Sequence, residues 1–547
     1  MPRQQRKSGT TRGAEWPLAA VLFVLFLVVA VPGVSWGTPE VWNPDELVGR
    51  VDLALGGEIE FDESEPDFNY PSLPKYVMYG LGRIVYGMGG DRSTFIVSSR
   101  VLSVLLGALA AVLVFALARR AGASLFAAFV SGLLFTASGV VPSNARFAHN
   151  DMYLQLFVIL CVIFAVNFQK SGNRLWLYAS SFAVGLAASS KYTGGSLLLL
   201  PLAVLLIFDW PRARRDWLGT AERLVLCLVL AFAGYVSGTP RALLWMSYYF
   251  KRVIPALLRY PQYGLQPNST PGIIGQWSNF SGAVGAFLFW LFLVSGLWMA
   301  VRAARSTLAR EPASGERSKT IVILLLSLVI FDLPFLVSVN YIPRYFIPFV
   351  PILSVLAGLF LDDLGDRLRQ RFGAAGIRVA LIVLAIGLAY SFVRVVSTTL
   401  LFANDARGPA GEYLYTLRPG TVIEYTLYPP VIPRARFAKA RNYPIFLLKY
   451  PGDTVPTNKP YDYNSGEEGL LERGVDYLVI DSFTYSRFED PYICESNPVE
   501  CDFFDRLLSG ETRYALLNRF EYRLPPYMPQ VQVAAVNPTM SIYERRD

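Results

Sequence analysis

Three carboxylates in this sequence have the chemistry of a general base or a cation ligand. Asp45 and Glu46 are adjacent, and Asp151 begins an apolar run further along the chain. Because successive helical residues point about 100° apart, Asp45 and Glu46 are not expected to share one role. Capping of a helix end is the alternative for each residue alone, since a negative charge is favourable at a helix N-terminus. As a set, the three carboxylates predict a catalytic site.

Four cations at the ends of apolar runs are candidates for binding a phosphate. One of them closes the run Tyr70-Pro71-Ser72-Leu73-Pro74-Lys75, in which two prolines restrict the chain and Tyr70 is a further candidate contact. For Lys75 and Arg344, the alternative is a side chain that reaches from an apolar surface toward water. The predicted phosphate-binding cations are Lys75, Arg146, Lys191 and Arg344.

Cofactor sites have little support in the sequence. His149 is the single histidine and has no cysteine near it, so a zinc site is not predicted. The chain has neither a Walker loop nor a nucleotide-binding glycine fingerprint. We therefore predict no cofactor and no tightly bound metal, and dependence on a divalent cation stays open.

The elements that must position these residues are long apolar runs. Of the 547 residues, 53% are apolar and 17% are charged, whereas soluble proteins are nearer a quarter charged. An apolar helix of about 20 residues crosses a bilayer. The sequence predicts about eleven such spans, at 17–35, 95–118, 124–141, 152–168, 175–189, 194–208, 224–238, 280–301, 321–339, 345–361 and 379–396.

The connections between these spans alternate in positive charge, which predicts the orientation. One set, including the N-terminal arm, is rich in Arg and Lys, whereas the opposite set holds little more than Arg146, Lys191 and Arg344. The positive set marks the cytoplasm. We expect a multi-pass protein of the plasma (inner) membrane with a cytoplasmic N-terminus and an extracytoplasmic C-terminus. Basic residues confined to short connections also argue against a nucleic-acid partner.

Three regions follow from this arrangement. A cytoplasmic arm covers 1–15, and a transmembrane domain covers 16–403, with a first external loop at 37–94. The tail at 404–547 is polar and is expected outside the cytoplasm.

Local patterns predict structure in the loop and in the tail. The stretches 41–55 and 73–86 are expected to be helices at the membrane surface. Strand-like stretches at 421–427 and 475–480 predict a small α/β domain in the tail. Cys494 and Cys501 in the tail either form a local disulfide or remain two thiols.

Together these features resemble the GT-C glycosyltransferases that use polyprenyl-phosphate sugars, in the branch of the protein O-mannosyltransferases and the lipid A aminoarabinose transferase. The likeness covers about residues 15–425. Ser72 stands where many relatives have proline, and the Trp-Trp-Asp signature of oligosaccharyltransferases is absent. The matching pieces are Asp45-Glu46 in a long first loop, the Arg146 to Asp151 spacing, and the runs 70–75, 189–194, 344–348, 404–407 and 418–420.

The resemblance implies a mainly α-helical membrane bundle with a small α/β domain, and it implies a reaction. A sugar would pass from a polyprenyl-phosphate donor in the lipid bilayer to a glycan, lipid or protein acceptor, with inversion. Asp45 would be the catalytic base, while Glu46 and Asp151 would organise the site or bind the acceptor. The four cations would stabilise the departing lipid phosphate.

Two other functions compete with this one. A secondary transporter or a flippase of lipid-linked substrates would have inverted repeats and broken helices near the membrane midplane, whereas the charges here lie at span ends. A structural or polymer-binding protein would do its work through the tail.

Overall fold

The computed structural model contains a helical membrane unit and a unit built on a β-sheet. It describes residues 12–58, 70–259, 273–308, 315–336, 342–444 and 466–546. Within these ranges, the first unit contains the chain up to Val34 and from Glu46 to Val396. The second contains Ser35–Asp45 and the chain from Ser397 onward.

The first unit is a bundle of helices of very different lengths. Short 3₁₀ segments at Tyr192–Leu198 and Pro343–Phe346 and a π-helical turn at Tyr249–Val253 interrupt it. The α-helices are α1 (Arg12–Ala30), α2 (Val48–Leu55), α3 (Leu73–Gly87), α4 (Arg92–Arg120), α5 (Leu125–Thr136), α6 (Val140–Ala145), α7 (Asp151–Ser171), α8 (Arg174–Ser190), α9 (Leu199–Phe208), α10 (Trp210–Arg215), α11 (Trp217–Gly238), α12 (Arg241–Leu244), α13 (Met246–Tyr248), α14 (Ile254–Arg259), α15 (Ile273–Val284), α16 (Ala286–Leu308), α17 (Gly315–Leu336) and α18 (Val350–Ala403).

Small and apolar side chains allow the central helices to pack closely. Helix α4 packs against α1, α5 and α7, and α8 packs against α7 and α11. At the crossing of α8 and α11, a Cβ added at Gly185 would collide with the carbonyl oxygen of Ala231. Small residues of this kind let two helix backbones approach closely. In a bilayer this close packing drives helix association, because the hydrophobic effect does not.

Seven helices among the described residues are long and apolar enough to cross a membrane: α1, α4, α7, α11, α16, α17 and α18. The fold class is therefore confirmed, and the chain is a multi-pass membrane protein. The prediction of about eleven spans stays a prediction. Helix α5 has 12 residues, which is too short for a bilayer at 1.5 Å per residue.

The last two predicted spans lie in α18, which consists of two helices that meet at Gly373. The helix continues through the charged stretch 367–378 and is interrupted at Gly373, whose φ of 62° is outside the helical range. Glycine tolerates this left-handed conformation because it lacks a Cβ. The two predicted spans are thus connected by a kink at Gly373.

The second unit contains a five-stranded mixed sheet. Its strand order is β2-β1-β3-β5-β4, with β1 parallel to β2 and β3, and β5 antiparallel to β3 and β4. The predicted helix at 73–86 and the predicted strands at 421–427 and 475–480 are confirmed as α3, β1 and β3, and the position of α3 at the membrane surface stays a prediction. The elements of this unit are α19 (Arg407–Leu414), β1 (Val422–Tyr425), β2 (Lys439–Asn442), α20 (Glu467–Glu472), β3 (Tyr477–Asp481), α21 (Ser482–Tyr485), α22 (Pro491–Ser496), α23 (Pro498–Ser509), β4 (Tyr514–Phe520) and β5 (Met540–Arg545).

The central strand of this sheet is buried on both faces. In β3, Tyr477 and Val479 join one apolar cluster, and Leu478 and Ile480 join another. Because side chains alternate along a strand, these two sets point to opposite faces. A strand buried on both sides reads as a continuous apolar run, which is the pattern of Tyr477–Asp481.

An ion pair ties the N-terminal segment Ser35–Asp45 into the second unit. Asp405 accepts hydrogen bonds from Trp36 Nε1 at 2.9 Å and from Arg407 Nη2 at 2.7 Å. The Arg407 guanidinium lies over the rings of Trp36 and Trp42, 4.9 and 4.4 Å from their centroids. Asn537 N donates to Asp405 at 2.7 Å. We call Trp36, Trp42, Asp405, Arg407 and Asn537 the Asp405 cluster.

A disulfide joins Cys494 and Cys501 in the second unit. Of the two alternatives from the sequence, the structure contains the paired form. Cys161 and Cys227 are buried thiols in the helical unit.

Candidate active site

Three polar side chains meet where α7 begins and α8 ends. Asp151, the first residue of α7, accepts a hydrogen bond from Lys191 Nζ at 2.8 Å through one carboxylate oxygen. Its other oxygen lies 3.0 Å from His149 Nδ1. All three side chains are largely or fully buried, and Lys191, at 14% exposure, is the most accessible. The carboxylate thus fixes both a cation and an imidazole.

The run Ser189-Ser190-Lys191-Tyr192-Thr193-Gly194 explains why the lysine leaves the helix here. Lys191 is extended, with φ −154° and ψ 134°, between α8 and the 3₁₀ segment that follows. Gly194 N donates to the Lys191 carbonyl, closing a turn. A side chain at Gly194 would meet the Ala187 backbone. The turn therefore aims the lysine toward α7.

A hydrogen bond between backbone and side chain aligns the two helix ends. Asn150 Nδ2 donates to the carbonyl of Ser190 at 3.0 Å, one residue before Lys191. This contact satisfies a carbonyl at the C-terminus of α8, which has no partner within its own helix. It also holds the start of α7 at the distance that the Asp151–Lys191 pair requires.

Aromatic rings and a second cation complete this group. Lys191 Nζ lies 5.0 Å from the centroid of the Tyr345 ring. The Tyr70 ring meets His149 edge to face, with centroids 5.3 Å apart. Arg344, which precedes Tyr345, is close enough to His149 to act on it electrostatically. Of the predicted residues, the structure therefore brings together Tyr70, Asp151, Lys191 and Arg344. We call these four with His149 and Tyr345 the Asp151 cluster.

The surroundings of His149 lower its pKa and so favour the neutral imidazole. Burial lowers its pKa, Asp151 opposes the shift, and Arg344 and Lys191 reinforce it. Because an ionised carboxylate only accepts hydrogen bonds, Nδ1 carries the proton that points at Asp151. Nε2 then has a lone pair and is buried without a hydrogen-bond partner.

Lys75 lies in the first turn of α3 and is buried. The start of this helix is attached to the ends of α8 and α11. Ser72 N donates to Thr239 Oγ1 at 3.3 Å, and Thr239 in turn shares a hydrogen bond with Ser189 at 2.7 Å. In the run 70–75, Tyr70 thus contacts His149, and Ser72 is linked to Ser189 through Thr239.

Glu46 has a structural environment. Its carboxylate pairs with Arg100 of α4 at 2.7 and 2.9 Å, and both side chains are fully buried. One oxygen also accepts from Ala148 N at 2.8 Å, and Leu47 N donates to the Ala148 carbonyl. Glu46 therefore fastens the segment between α1 and α2 to the residue before His149. These contacts favour a positioning role over an acid–base role.

Asp45 has a different environment from its neighbour, as the sequence predicts for adjacent carboxylates. It is half-buried, and its backbone N–H donates to Asn43 Oδ1 at 3.1 Å. Glu46 anchors the chain directly after Asp45, and the Asp405 cluster holds the segment before it through Trp36 and Trp42. Asp45 thus lies in a segment that is held on both sides.

The contacts of Arg146 differ from those predicted for a phosphate ligand. Its guanidinium donates to the carbonyls of Pro32 at 2.8 Å, Val29 at 2.7 Å and Pro142 at 3.3 Å. Val29 and Pro32 lie at the end of α1, where backbone carbonyls lack helical partners. Cations at this position stabilise a helix C-terminus. Arg146 therefore caps α1, and we assign it a structural role.

Two contributors were missed by the sequence reasoning. Arg100 lies inside an apolar span, and a charge there signals a buried partner, so its position could have indicated that it is paired, although not that Glu46 is the partner. No sequence pattern indicated the contact of His149 with Asp151, because two residues that are two positions apart do not generally bond through their side chains. Among the described residues, no group of three His, Cys, Asp or Glu side chains could hold a metal ion.

Comparisons with known families match the helical part of the chain. Residues 88–252, which include α7, α8 and Lys191, match the family described as dolichyl-phosphate-mannose-protein mannosyltransferase. Two curated transferases, each named undecaprenyl phosphate-alpha-4-amino-4-deoxy-L-arabinose arabinosyl transferase, are also similar. The protein of Edwardsiella ictaluri is 27% identical over 37% of this chain, and that of Pseudomonas aeruginosa is 28% identical over 40%. The chain spans 36% and 39% of their lengths.

A solved structure covers nearly the whole chain. It is ArnT from Cupriavidus metallidurans bound to undecaprenyl phosphate, with a TM-score of 0.51, 16% identity and 98% coverage of both chains. At this identity, the likeness establishes the fold. The chain therefore has the fold of ArnT, and its predicted resemblance to the GT-C glycosyltransferases that use polyprenyl-phosphate sugars is confirmed.

Proposed function

We propose that this protein is a membrane glycosyltransferase that moves a sugar from a polyprenyl-phosphate donor to an acceptor. The observation that carries the proposal is the Asp151 cluster, in which a fixed lysine and a nearby arginine lie beside a buried carboxylate at the ends of apolar helices. Fixed cations at the bilayer boundary suit a lipid-linked phosphate. The ArnT fold and the match to the mannosyltransferase family support the same donor class.

The proposed reaction is one displacement at the anomeric carbon. The acceptor oxygen forms the new bond to that carbon as the bond to the phosphate oxygen breaks, so the configuration inverts. Asp45 takes the proton from the acceptor hydroxyl, and the lipid phosphate leaves with the bonding electron pair. Asp45 suits the role of base better than Glu46, whose carboxylate is committed to Arg100 and Ala148.

The departing phosphate gains negative charge, and cations that are already in place lower the cost of that change. Lys191 and Arg344 are the proposed ligands from the Asp151 cluster, and Lys75 is the proposed ligand from α3. Asp151 acts by holding Lys191 and His149. Arg146 is not included, because its guanidinium caps α1.

A transfer assay tests this function directly. Membranes or purified protein would be given a panel of polyprenyl-phosphate sugars that includes mannose and 4-amino-4-deoxy-L-arabinose, with glycan, lipid and protein acceptors. We expect transfer from at least one donor and an anomeric configuration opposite to that of the donor. Absence of transfer from the whole panel, together with movement of a lipid-linked sugar between leaflets, would support the flippase alternative.

The orientation is also part of the proposal. We place the Asp151 cluster and the sheet-containing unit on the extracytoplasmic side of the inner membrane, because the Arg-rich connections are expected in the cytoplasm. The Cys494–Cys501 disulfide supports this side, since disulfides persist in oxidising compartments and are rare in the cytoplasm.

Alkylation in intact cells checks the orientation. Cys494 and Cys501 are expected to resist a thiol reagent until a reductant is added, and then to react with a reagent that does not cross the inner membrane. A Cys161→Ala/Cys227→Ala background removes the two buried thiols and gives a clean readout. Free thiols that react only with a membrane-permeant reagent would place this unit in the cytoplasm.

A further inference from the structure

We propose that His149 binds the sugar of the lipid-linked donor by accepting a hydrogen bond from one of its hydroxyl groups at Nε2. This inference rests on the proposed function and assigns a residue to sugar recognition, as distinct from phosphate binding. It depends on the geometry around the imidazole, in which one edge of the ring is committed and the other edge is not.

The committed edge is Nδ1, which lies 3.0 Å from Asp151 Oδ2. The same carboxylate is held by Lys191 at 2.8 Å, and the ring is packed against Tyr70. These contacts fix the orientation of the ring, since an imidazole with one bonded edge and one packed face cannot rotate without losing both. His149 is thus a rigid group, as a recognition residue should be.

The other edge is Nε2, a buried atom with no hydrogen-bond partner among the residues that the structure describes. A buried polar atom without a partner costs free energy unless a ligand supplies the partner. Because Nδ1 holds the proton, Nε2 is an acceptor and requires a donor group.

The surrounding charges indicate which kind of molecule carries the group that donates a hydrogen bond to Nε2. Lys191 and Arg344 face the ring and attract an anion, but a phosphate oxygen would be repelled by the lone pair of Nε2. The hydroxyl groups of a sugar are donors, and they belong to the same molecule as the phosphate that the cations attract. His149 and the cations therefore recognise adjacent parts of one donor molecule.

Two substitutions separate sugar binding from a purely structural role. In His149→Asn, the amide lies near the former Nδ1 position, so it keeps a donor for Asp151 and loses the acceptor at Nε2. In His149→Gln, the longer side chain places its amide near the former Nε2 position and loses the contact with Asp151. A hydroxyl-binding role predicts that the Gln variant retains more function, whereas a role limited to orienting Asp151 predicts the reverse.

The experiment measures binding of undecaprenyl phosphate and of the undecaprenyl-phosphate sugar, mannose or 4-amino-4-deoxy-L-arabinose, that the wild type binds. We expect His149→Asn to weaken binding of the sugar-bearing lipid about 10-fold, as for the loss of one hydrogen bond. Binding of the bare lipid phosphate should stay within about 2-fold, which also shows that the variant is folded. His149→Gln should lose less affinity for the sugar-bearing lipid.

Four results would overturn the inference. Equal weakening of both lipids would assign His149 to phosphate binding or to folding. Greater retention by His149→Asn than by His149→Gln would assign it to orientation of Asp151. Wild-type protein that binds neither lipid would contradict the proposed function itself, whereas tight binding of both lipids by His149→Asn would contradict only the role of His149.

Discussion

Asp45→Asn is expected to lower the rate of sugar transfer by about 10²–10⁴-fold, the usual contribution of a general base. The substitution keeps the size of the side chain and its ability to accept a hydrogen bond, but it removes the basic carboxylate. Binding of the lipid donor should change little, because Lys75, Lys191 and Arg344 are the proposed phosphate ligands. The single-turnover rate of transfer and the dissociation constant of the lipid donor should be measured on the same purified protein. Together they separate an effect on the chemical step from an effect on donor binding.

A matched control for Asp45→Asn is Asp502→Asn. Asp502 is an exposed carboxylate of α23 that pairs with Arg506 one turn away, so its substitution tests the general effect of losing one acidic group. It should leave transfer unchanged. Full transfer activity in Asp45→Asn would remove Asp45 from the base role, and an equal loss of donor binding and transfer would make it a binding residue.

Breaking the Glu46–Arg100 pair is expected to destabilise the helical unit by about 3–5 kcal/mol, as for other buried pairs that lose one partner. Both side chains are fully buried, so either single substitution leaves a charge with no route to water. Arg100→Leu should be the more damaging, because it leaves a carboxylate that otherwise contacts only Ala148 N. Unfolding of the purified protein in a denaturing detergent measures the loss.

The double variant Glu46→Gln/Arg100→Leu tests the interpretation. The amide introduced by Glu46→Gln keeps an acceptor for Ala148 N while both charges are removed, so the double variant should be more stable than Arg100→Leu alone. The exposed pair of Arg523 with Glu521 is the control, and its removal should hardly affect unfolding. Additive losses in the double variant would mean that the pair does not interact as its geometry indicates.

The membrane spans and the surface helix α3 were predictable because their signals are local. A run of apolar residues identifies a span without knowledge of its neighbours, and Leu73–Gly87 shows the pattern of an interfacial helix over its whole length. The strands β1 and β3 were predictable for the same reason. The kink in α18 was not predictable. The charged residues at 367–378 indicated only a connection between spans, whereas in the structure this stretch is helical except at Gly373.

The sequence indicated Asp151, Lys191 and Arg344 as candidate site residues but did not predict their contacts. The positions of Asp151 and Lys191 at span ends indicated a shared membrane face, but their pairing at 2.8 Å depends on how α7 and α8 pack. The roles of Glu46 and Arg146 depended on partners far away in the sequence, Arg100 and the end of α1. A charge pattern shows that a partner is needed and does not show which residue supplies it.

The Asp405 cluster has a consequence for how the chain is made. Trp36 and Trp42 leave the ribosome early, whereas Asp405 follows Trp36 by 369 residues and Arg407 follows Trp42 by 365. At ~5–20 residues per second, the N-terminal segment waits about 20–70 s for its partners. During that interval two tryptophans that belong to a folded interior have only the membrane surface to cover them. Because tryptophan suits membrane interfaces, we expect the membrane surface to contact these two side chains until synthesis reaches the tail.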